Sequence, residues 1–193
     1  MVDESVIGFD TSLRNASREE LEFPTDKRIF ALAAALKDQW DIRQLYDITK
    51  IDLWFLYKLK AIVDYQIYME GKSSLTQQEL LAAKKLGFSD KSIARCIVSS
   101  ELVIRKQRID NNIRPFVKRV DTVSAEWPAS TNYLYLTYNA TESDLEKSGG
   151  VLVLGSGVYR IGSSVEFDCC AVGCVQELTK VFNVKSFHFL NSP

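Results

Sequence analysis

The sequence predicts a mainly α protein: a helical bundle with short strands, followed by an incomplete, Rossmann-like α/β unit. Three observations carry this. Apolar residues recur at spacings of three and four between residues 23 and 111, with short polar connections. The pattern then turns extended, in Phe116 to Val120 and in Tyr133 to Thr137, where tyrosine alternates with leucine. Finally, Val151-Leu152-Val153-Leu154 is a short, wholly apolar run of the kind covered on both faces in a parallel sheet, and a glycine-rich turn and the start of a helix follow it.

Residues 1–22 are polar and weakly patterned and are read as a connecting segment rather than an independent element. The helical domain spans 23–138. Its first helix runs from Asp26 to Lys37 through Ile29, Leu32, Ala33 and Leu36, and a shorter one starts at Asp41 with Ile42, Leu45 and Ile48; both read as amphipathic. Thr49 is taken as the N-cap of a long helix that Gly71 ends. Trp54, Phe55, Leu56, Leu59, Ile62, Val63 and Ile67 load that helix on more than one stripe, so it is expected at the centre of the bundle. Helices from Gln77 to Leu86, from Ser89 through Ile97 and from Ser100 to Asn111 complete the set, with Gly87 stopping the first of them. A linker at 139–150 leads into 151–193. There Ser163 and Glu166 stand three apart as in a capping box, and Phe167, Cys170, Ala171, Cys174 and Leu178 make one apolar face. The remaining residues supply at most one more strand, around Phe187 to Leu190, too few to close a doubly covered sheet.

Composition narrows the function. The chain of 193 residues is 46% hydrophobic and carries a formal charge of −1, so no global field favours nucleic acid or an anionic membrane. Its longest purely apolar run, Ile29 to Leu36, falls well short of the roughly 20 residues that cross a bilayer. No signal peptide is read at the N-terminus, and Cys96, Cys169, Cys170 and Cys174 fit reduced thiols, so a cytoplasmic location is expected.

Catalytic and ligand motifs are sparse. The glycines of 155–162 fall as G-x-G-x-x-x-x-G, which misses both the dinucleotide fingerprint and the P-loop, and the default reading is a structural turn. Cys170 and Cys174 lie four apart, but zinc wants four ligands and the single histidine, His188, is distant; they are read as small buried hydrophobes. Arg105, Lys106, Arg108, Arg114, Lys118 and Arg119 lack interleaved aromatic platforms and are read as a solvated or subunit-facing surface. Trp54, Trp127 and the tyrosines from Tyr133 are assigned to core or interface packing, and no Ser/His/Asp or Cys/His triad is complete.

Several of these stretches carry a resemblance. Val153-Leu154-Gly155-Ser156-Gly157 with Arg160-Ile161-Gly162-Ser163-Ser164-Val165-Glu166-Phe167-Asp168 is similar to the opening of the second synthetase half of carbamoyl-phosphate synthase, in its large-subunit or animal multifunctional form. Thr49-Lys50-Ile51-Asp52, Trp54-Phe55-Leu56, Lys84, Gly87-Phe88-Ser89-Asp90, Val120-Asp121-Thr122, Ala125-Glu126 and Tyr133 to Tyr138 resemble, in order, the oligomerisation domain of the same enzyme. The likeness runs nearly unbroken from about Met1 to Leu178 and departs beyond it; Ser164 stands where bacterial forms have glycine.

The resemblance implies a pre-ATP-grasp identity for 151–193 and a parent enzyme that makes carbamoyl phosphate from bicarbonate, glutamine-derived ammonia and ATP with magnesium. Arg160 points to the glutamine-dependent, pyrimidine-pathway form. Arg160, Gly162 and Glu166 would border the passage that carries carbamate, Arg160 by paired hydrogen bonds to a planar carboxylate; the other reading makes Arg160 an ion-pair residue and Glu166 only a helix cap. Without either ATP-grasp domain the chain is expected to bind no cofactor and to turn nothing over alone, serving as an oligomerisation or structural segment that associates with the remainder of the synthase or with itself. The alternatives are a free-standing helical self-association or adaptor module and a minimal nucleotide-binding protein.

Overall fold

The computed structural model describes residues 9–128, 134–145, 151–154, 165–182 and 187–190; beyond residue 145, side chains are described only for Val153 and for 172–180. Seven helices come first: α1 (Arg18–Glu22), α2 (Arg28–Lys37), α3 (Ile42–Thr49), α4 (Leu53–Glu70), α5 (Gln77–Lys85), α6 (Asp90–Cys96) and α7 (Glu101–Asp110). A two-stranded antiparallel ribbon follows, β1 (Phe116–Arg119) with β2 (Leu134–Thr137). The chain divides into compact units of 1–144 and 145–193. In the second, β3 (Val151–Leu154), α8 (Val165–Phe182) and β4 (Phe187–Leu190) form one strand-helix-strand crossover with β3 and β4 parallel, Val151 opposite Phe187 and Leu154 opposite Leu190. The protein is thus mainly α with short strands. Among the described residues no helix is long and apolar enough to cross a membrane.

The first unit has two hydrophobic cores, and α4 enters both. Leu21, Leu32, Leu36, Ile42, Leu45, Leu56 and Val63 are at the heart of one, joining α1, α2, α3 and the first part of α4. Met69 at the far end of α4 enters the second, with Leu80 and Ala83 of α5, Ile93 and Ile97 of α6, Ile104 of α7 and Ile113 beyond it. At 1.5 Å per residue, 18 residues give α4 a reach of about 27 Å, enough to span two cores.

Three readings of the sequence change here. Residues 18–22 form a helix, because Ser17 caps it by accepting from the Glu20 amide and because its single apolar residue, Leu21, is fully buried in the first core; one residue leaves no periodicity to read. The helix enclosed on all sides is α2, where Phe30 to Leu36 are all buried and four alanines at 0–5% exposure let neighbours approach closely; it is not amphipathic. α4 instead buries one face, with only Leu56, Val63 and Met69 fully enclosed, and exposes Trp54, Phe55 and Ile67. Its apolar residues exceed what one packed face can cover.

Thr49 does not start α4. It ends α3, its hydroxyl donating to the Leu45 carbonyl at 2.7 Å and accepting from the Ile51 amide at 3.1 Å, while Lys50 turns left-handed at φ 56°. Asp52 is the cap, accepting from the Trp54 amide at 2.8 Å. Four other helices stop by one device: the residue after the C-cap takes a left-handed φ, and the next amide reaches back five residues. Those residues are Gln39, Gly87, Val98 and Asn112, and the amides of Trp40, Phe88, Ser99 and Ile113 donate to the carbonyls of Ala35, Ala83, Ala94 and Arg108. Only Gly87 announces itself in the sequence. Gly71, read as a stop, is the C-cap of α4, with an ordinary φ of −83°.

The second core is fastened by a buried ion cluster. Asp90, the first residue of α6 and 7% exposed, accepts from Lys84 Nζ at 3.0 Å and from Arg108 Nε and Nη2 at 3.1 and 3.0 Å. Lys84 also donates to the Phe88 carbonyl at 2.8 Å, and Arg108 Nη1 to the Ile113 carbonyl at 3.1 Å. The Lys84 ammonium lies 5.1 Å from the centroid of the Tyr138 ring, just past β2, and Asn139 Nδ2 donates to the Lys85 carbonyl at 3.2 Å. One carboxylate therefore ties α5, α6, α7 and the foot of the ribbon together. Burial pushes the Asp90 carboxyl up, but the hydrogen bonds from Arg108 and Lys84 outweigh it and hold it below its ordinary 3.8.

Three outcomes are expected. Removing the carboxylate leaves two cations buried without their counter-ion, so Asp90→Ala should cost about 3–5 kcal/mol in denaturant unfolding. A lowered folded-state value means that the charge stabilises fully above 3.8 and that this contribution is lost as the pH falls further, so acid unfolding should be less steep in the variant. Val98→Gly should raise stability by about 1 kcal/mol, because a β-branched residue is held left-handed there with its side chain 95% exposed.

Candidate functional site

Arg160 and Gly162, with the turn 155–164, lie outside the described residues, as does Ser163. Glu166 is the second residue of α8, placed by its backbone only. His188 sits in β4, likewise only as a strand position. The sequence-predicted passage residues are therefore neither joined nor separated by the structure. Cys170 falls within α8, whereas Cys174 is exposed, unlike the buried hydrophobe expected; none of the residues 172–180 is buried. Among the described residues no three of His, Cys, Asp and Glu are grouped to hold a metal ion.

A cleft of about 370 Å³ lies between residues 9–12, α4 and the α5–α6 turn, with Phe9, Ile62, Gly87 and Cys96 in its wall. Its charged groups already serve one another. Lys37 pairs with Glu70 at 3.0 Å, Arg95 with Asp10 at 2.9 Å, and Gln66 Nε2 donates to Thr11 Oγ1 at 3.1 Å. Burial pushes the Cys96 thiol up, away from the reactive thiolate. The cleft presents no unmatched charge and no activated nucleophile.

What the described surface does offer is contact area. On α4, Trp54, Phe55 and Tyr57 are 56–60% exposed, and Tyr68 lies on the same side as Trp54, Tyr57 and Ala61 at spacings of three, four and seven. Trp54 and Phe55 meet edge to face at 4.9 Å. Lysines lie over both ends of the row, Lys58 at 5.3 Å from the Trp54 ring and Lys72 at 4.4 Å from that of Tyr68. The lower end is fixed through Glu79, the third residue of α5, whose carboxylate accepts from Lys72 Nζ at 2.6 Å, from the Tyr68 hydroxyl, and from the amide and hydroxyl of the cap residue Thr76. Those hydrogen bonds hold Glu79 well below the usual carboxylate range and raise Lys72.

A second patch runs from Val98 along α7, with Leu102, Val103 and Ile109 all exposed. The third is the ribbon, where Val120, Val123, Trp127, Tyr135 and Leu136 are exposed. Large aromatic residues with a solvent-facing apolar surround are the usual chemistry of protein contacts, not of catalysis.

The basic run read as one surface is divided by the structure. Arg108 is turned inward to Asp90, its side chain only 14% exposed; Arg105 reaches Glu101 and Lys118 pairs with Asp144. The Asp90 cluster is not legible in the sequence. Lys84 and Asp90 are among the residues that carry the family resemblance, but nothing in their spacing announces that Arg108, eighteen positions beyond Asp90, completes them.

Comparison with known proteins agrees with a contact-building segment. Residues 1–112 match the family described as carbamoyl-phosphate synthetase large chain, oligomerisation domain, and residues 147–189 match the carbamoyl phosphate synthase preATP-grasp domain. The chain is 57% identical to the multifunctional protein CAD of Squalus acanthias, a match covering 94% of this chain and 8% of that protein. It is 47% identical to the multifunctional protein pyr1-3 of Dictyostelium discoideum, over 92% of this chain and 8% of that one. To the mitochondrial arginine-specific carbamoyl phosphate synthase large chain of Neurospora crassa it is 48% identical, over 92% and 16% respectively. The chain thus spans a small part of the curated relatives it matches. It belongs to the carbamoyl-phosphate synthetase large chain oligomerisation-domain family.

Proposed function

We propose that the chain is an architectural segment of a glutamine-dependent carbamoyl-phosphate synthase of the pyrimidine pathway, contributing assembly rather than chemistry. The observation that carries this is the order of the two matched families, oligomerisation domain then preATP-grasp domain, along nearly all of a chain whose described residues hold three exposed apolar patches and no activated nucleophile. Its partners in this reading are the remainder of the synthase and a second copy of itself.

The parent enzyme would use ATP and magnesium, bicarbonate and glutamine-derived ammonia; this segment would hold none of them. Arg160, Gly162 and Glu166 keep their proposed place along the carbamate passage, on the strength of the family resemblance and of the planar, paired hydrogen bonding that a guanidinium offers. A cytoplasmic location belongs to the same reading and sets the chain apart from the relative named as mitochondrial.

Sedimentation of the purified chain, with calorimetry against magnesium-ATP, tests the proposal. The expected outcome is reversible self-association without a stoichiometric ATP heat, and Trp54→Ala should weaken that association by about tenfold or more, as loss of an exposed aromatic anchor does. Tight, stoichiometric ATP binding by the chain alone would overturn it.

A further inference from the structure

We propose that the outer edge of β2 captures an extended strand from elsewhere in the same synthase polypeptide, making the two-stranded ribbon a three-stranded sheet. This rests on the reading of the chain as a synthase segment.

The register fixes which backbone groups are free. The Asp144 amide donates to the Val117 carbonyl at 2.9 Å, the Val117 amide to Ser143 Oγ at 3.2 Å and the Arg119 amide to Asp144 Oδ2 at 2.9 Å. Val117 and Arg119 therefore point away from β2. Their cross-strand partners are Leu136 and Leu134, so these pairs are the non-hydrogen-bonded ones, and the amides and carbonyls of Leu134 and Leu136 face outward on β2. Neither has a hydrogen-bond partner among the described residues.

The two edges are treated differently. The outer edge of β1 is closed by residues 143–144, and its strand carries Lys118 and Arg119. β2 reads Leu-Tyr-Leu-Thr, with no charge, proline or bulge to discourage pairing. Proteins blunt an edge that must stay free; here one edge is blunted and the other, among the described residues, is left open. Tyr135 and Leu136 are 50% and 56% exposed although adjacent strand residues face opposite sides, so the ribbon is uncovered on both faces. A two-stranded sheet is marginal in water, and a third strand supplies what it lacks.

The occupant is argued from position. The ribbon lies between the two stretches matched to families, residues 1–112 and 147–189, where the chain passes from one domain to the next. The relatives carry most of their length outside the matched part, which is only 8–16% of each. A strand on the same polypeptide is already tethered to the edge, so its pairing is intramolecular and does not depend on protein concentration.

The test is hydrogen exchange resolved to single amides, on this chain alone and on the Squalus acanthias multifunctional protein with the matching segment replaced by this chain. The Leu136 amide should exchange freely in the chain alone and about 100-fold more slowly in the replacement protein. Leu136→Pro removes only the outward N–H and leaves the ladder to β1 intact, so in the replacement protein it should return Leu134 to fast exchange while α2 and α4 stay protected; if that variant does not fold, the unmodified comparison decides alone. Equal, fast exchange in both proteins overturns the proposal, as does protection in the isolated chain that rises with its concentration, which assigns the edge to a second copy. Carbamoyl phosphate formation reads the underlying assignment separately. An active replacement protein with a fast Leu136 overturns strand capture alone, and an inactive one overturns the synthase reading and this inference with it.

Discussion

The buried carboxylate of Asp90 is the constraint on which the second half of the first unit depends. It is the only anion in direct hydrogen-bond contact with Lys84 and Arg108 among the described residues, and each of those cations also holds a backbone carbonyl at a chain turn. A cluster like this is poor evidence of stability when compared with an apolar substitute, since desolvation offsets much of the attraction. What it provides is a meeting point: three helices and the foot of a β-ribbon come together around one carboxylate and the donors it satisfies. The ribbon itself has little core of its own, so its orientation is set from this cluster through Tyr138 and Asn139.

From that anchor the architecture follows. α4 serves as the common wall of two cores, one built around the alanine-rich α2 and the other around α5, α6 and α7. Burying a single face leaves the aromatic row from Trp54 to Tyr68 in solvent, ordered by lysines over its rings and by the Glu79 carboxylate. Groups held in place before a partner arrives lose less freedom on binding. This surface of α4 is therefore ordered as well as apolar, which suits the architectural role proposed for the segment.

Much of this was legible in the sequence. Helices α3 through α7 were readable because their apolar residues keep a period near 3.6 and because Ser89, Ser100, Asp41 and Gly71 punctuate them. The β3–α8–β4 crossover followed from four apolar residues, a glycine-rich turn and a helix. Elsewhere the signals were too short or too long-ranged. α1 has one buried residue and no period. Val98, Gln39 and Asn112 adopt the left-handed turn that glycine usually marks. Trp54 and Phe55 looked like core because hydrophobicity states a preference for burial without naming the neighbour that provides it, and Arg108 looked like surface because its partner is distant in sequence. The candidate passage residues Arg160, Gly162 and Glu166 were legible only by resemblance, since a single arginine after a glycine turn has no chemistry of its own until a substrate is beside it.

In the proposed function, the exposed apolar surfaces of this segment are covered by the rest of a synthase. A density map of an assembled carbamoyl-phosphate synthase carrying these 193 residues tests that most directly. The account predicts Trp54, Leu102 and Trp127 buried against neighbouring protein, with the Asp90 cluster unchanged inside. A map in which those three side chains remain in solvent would contradict it.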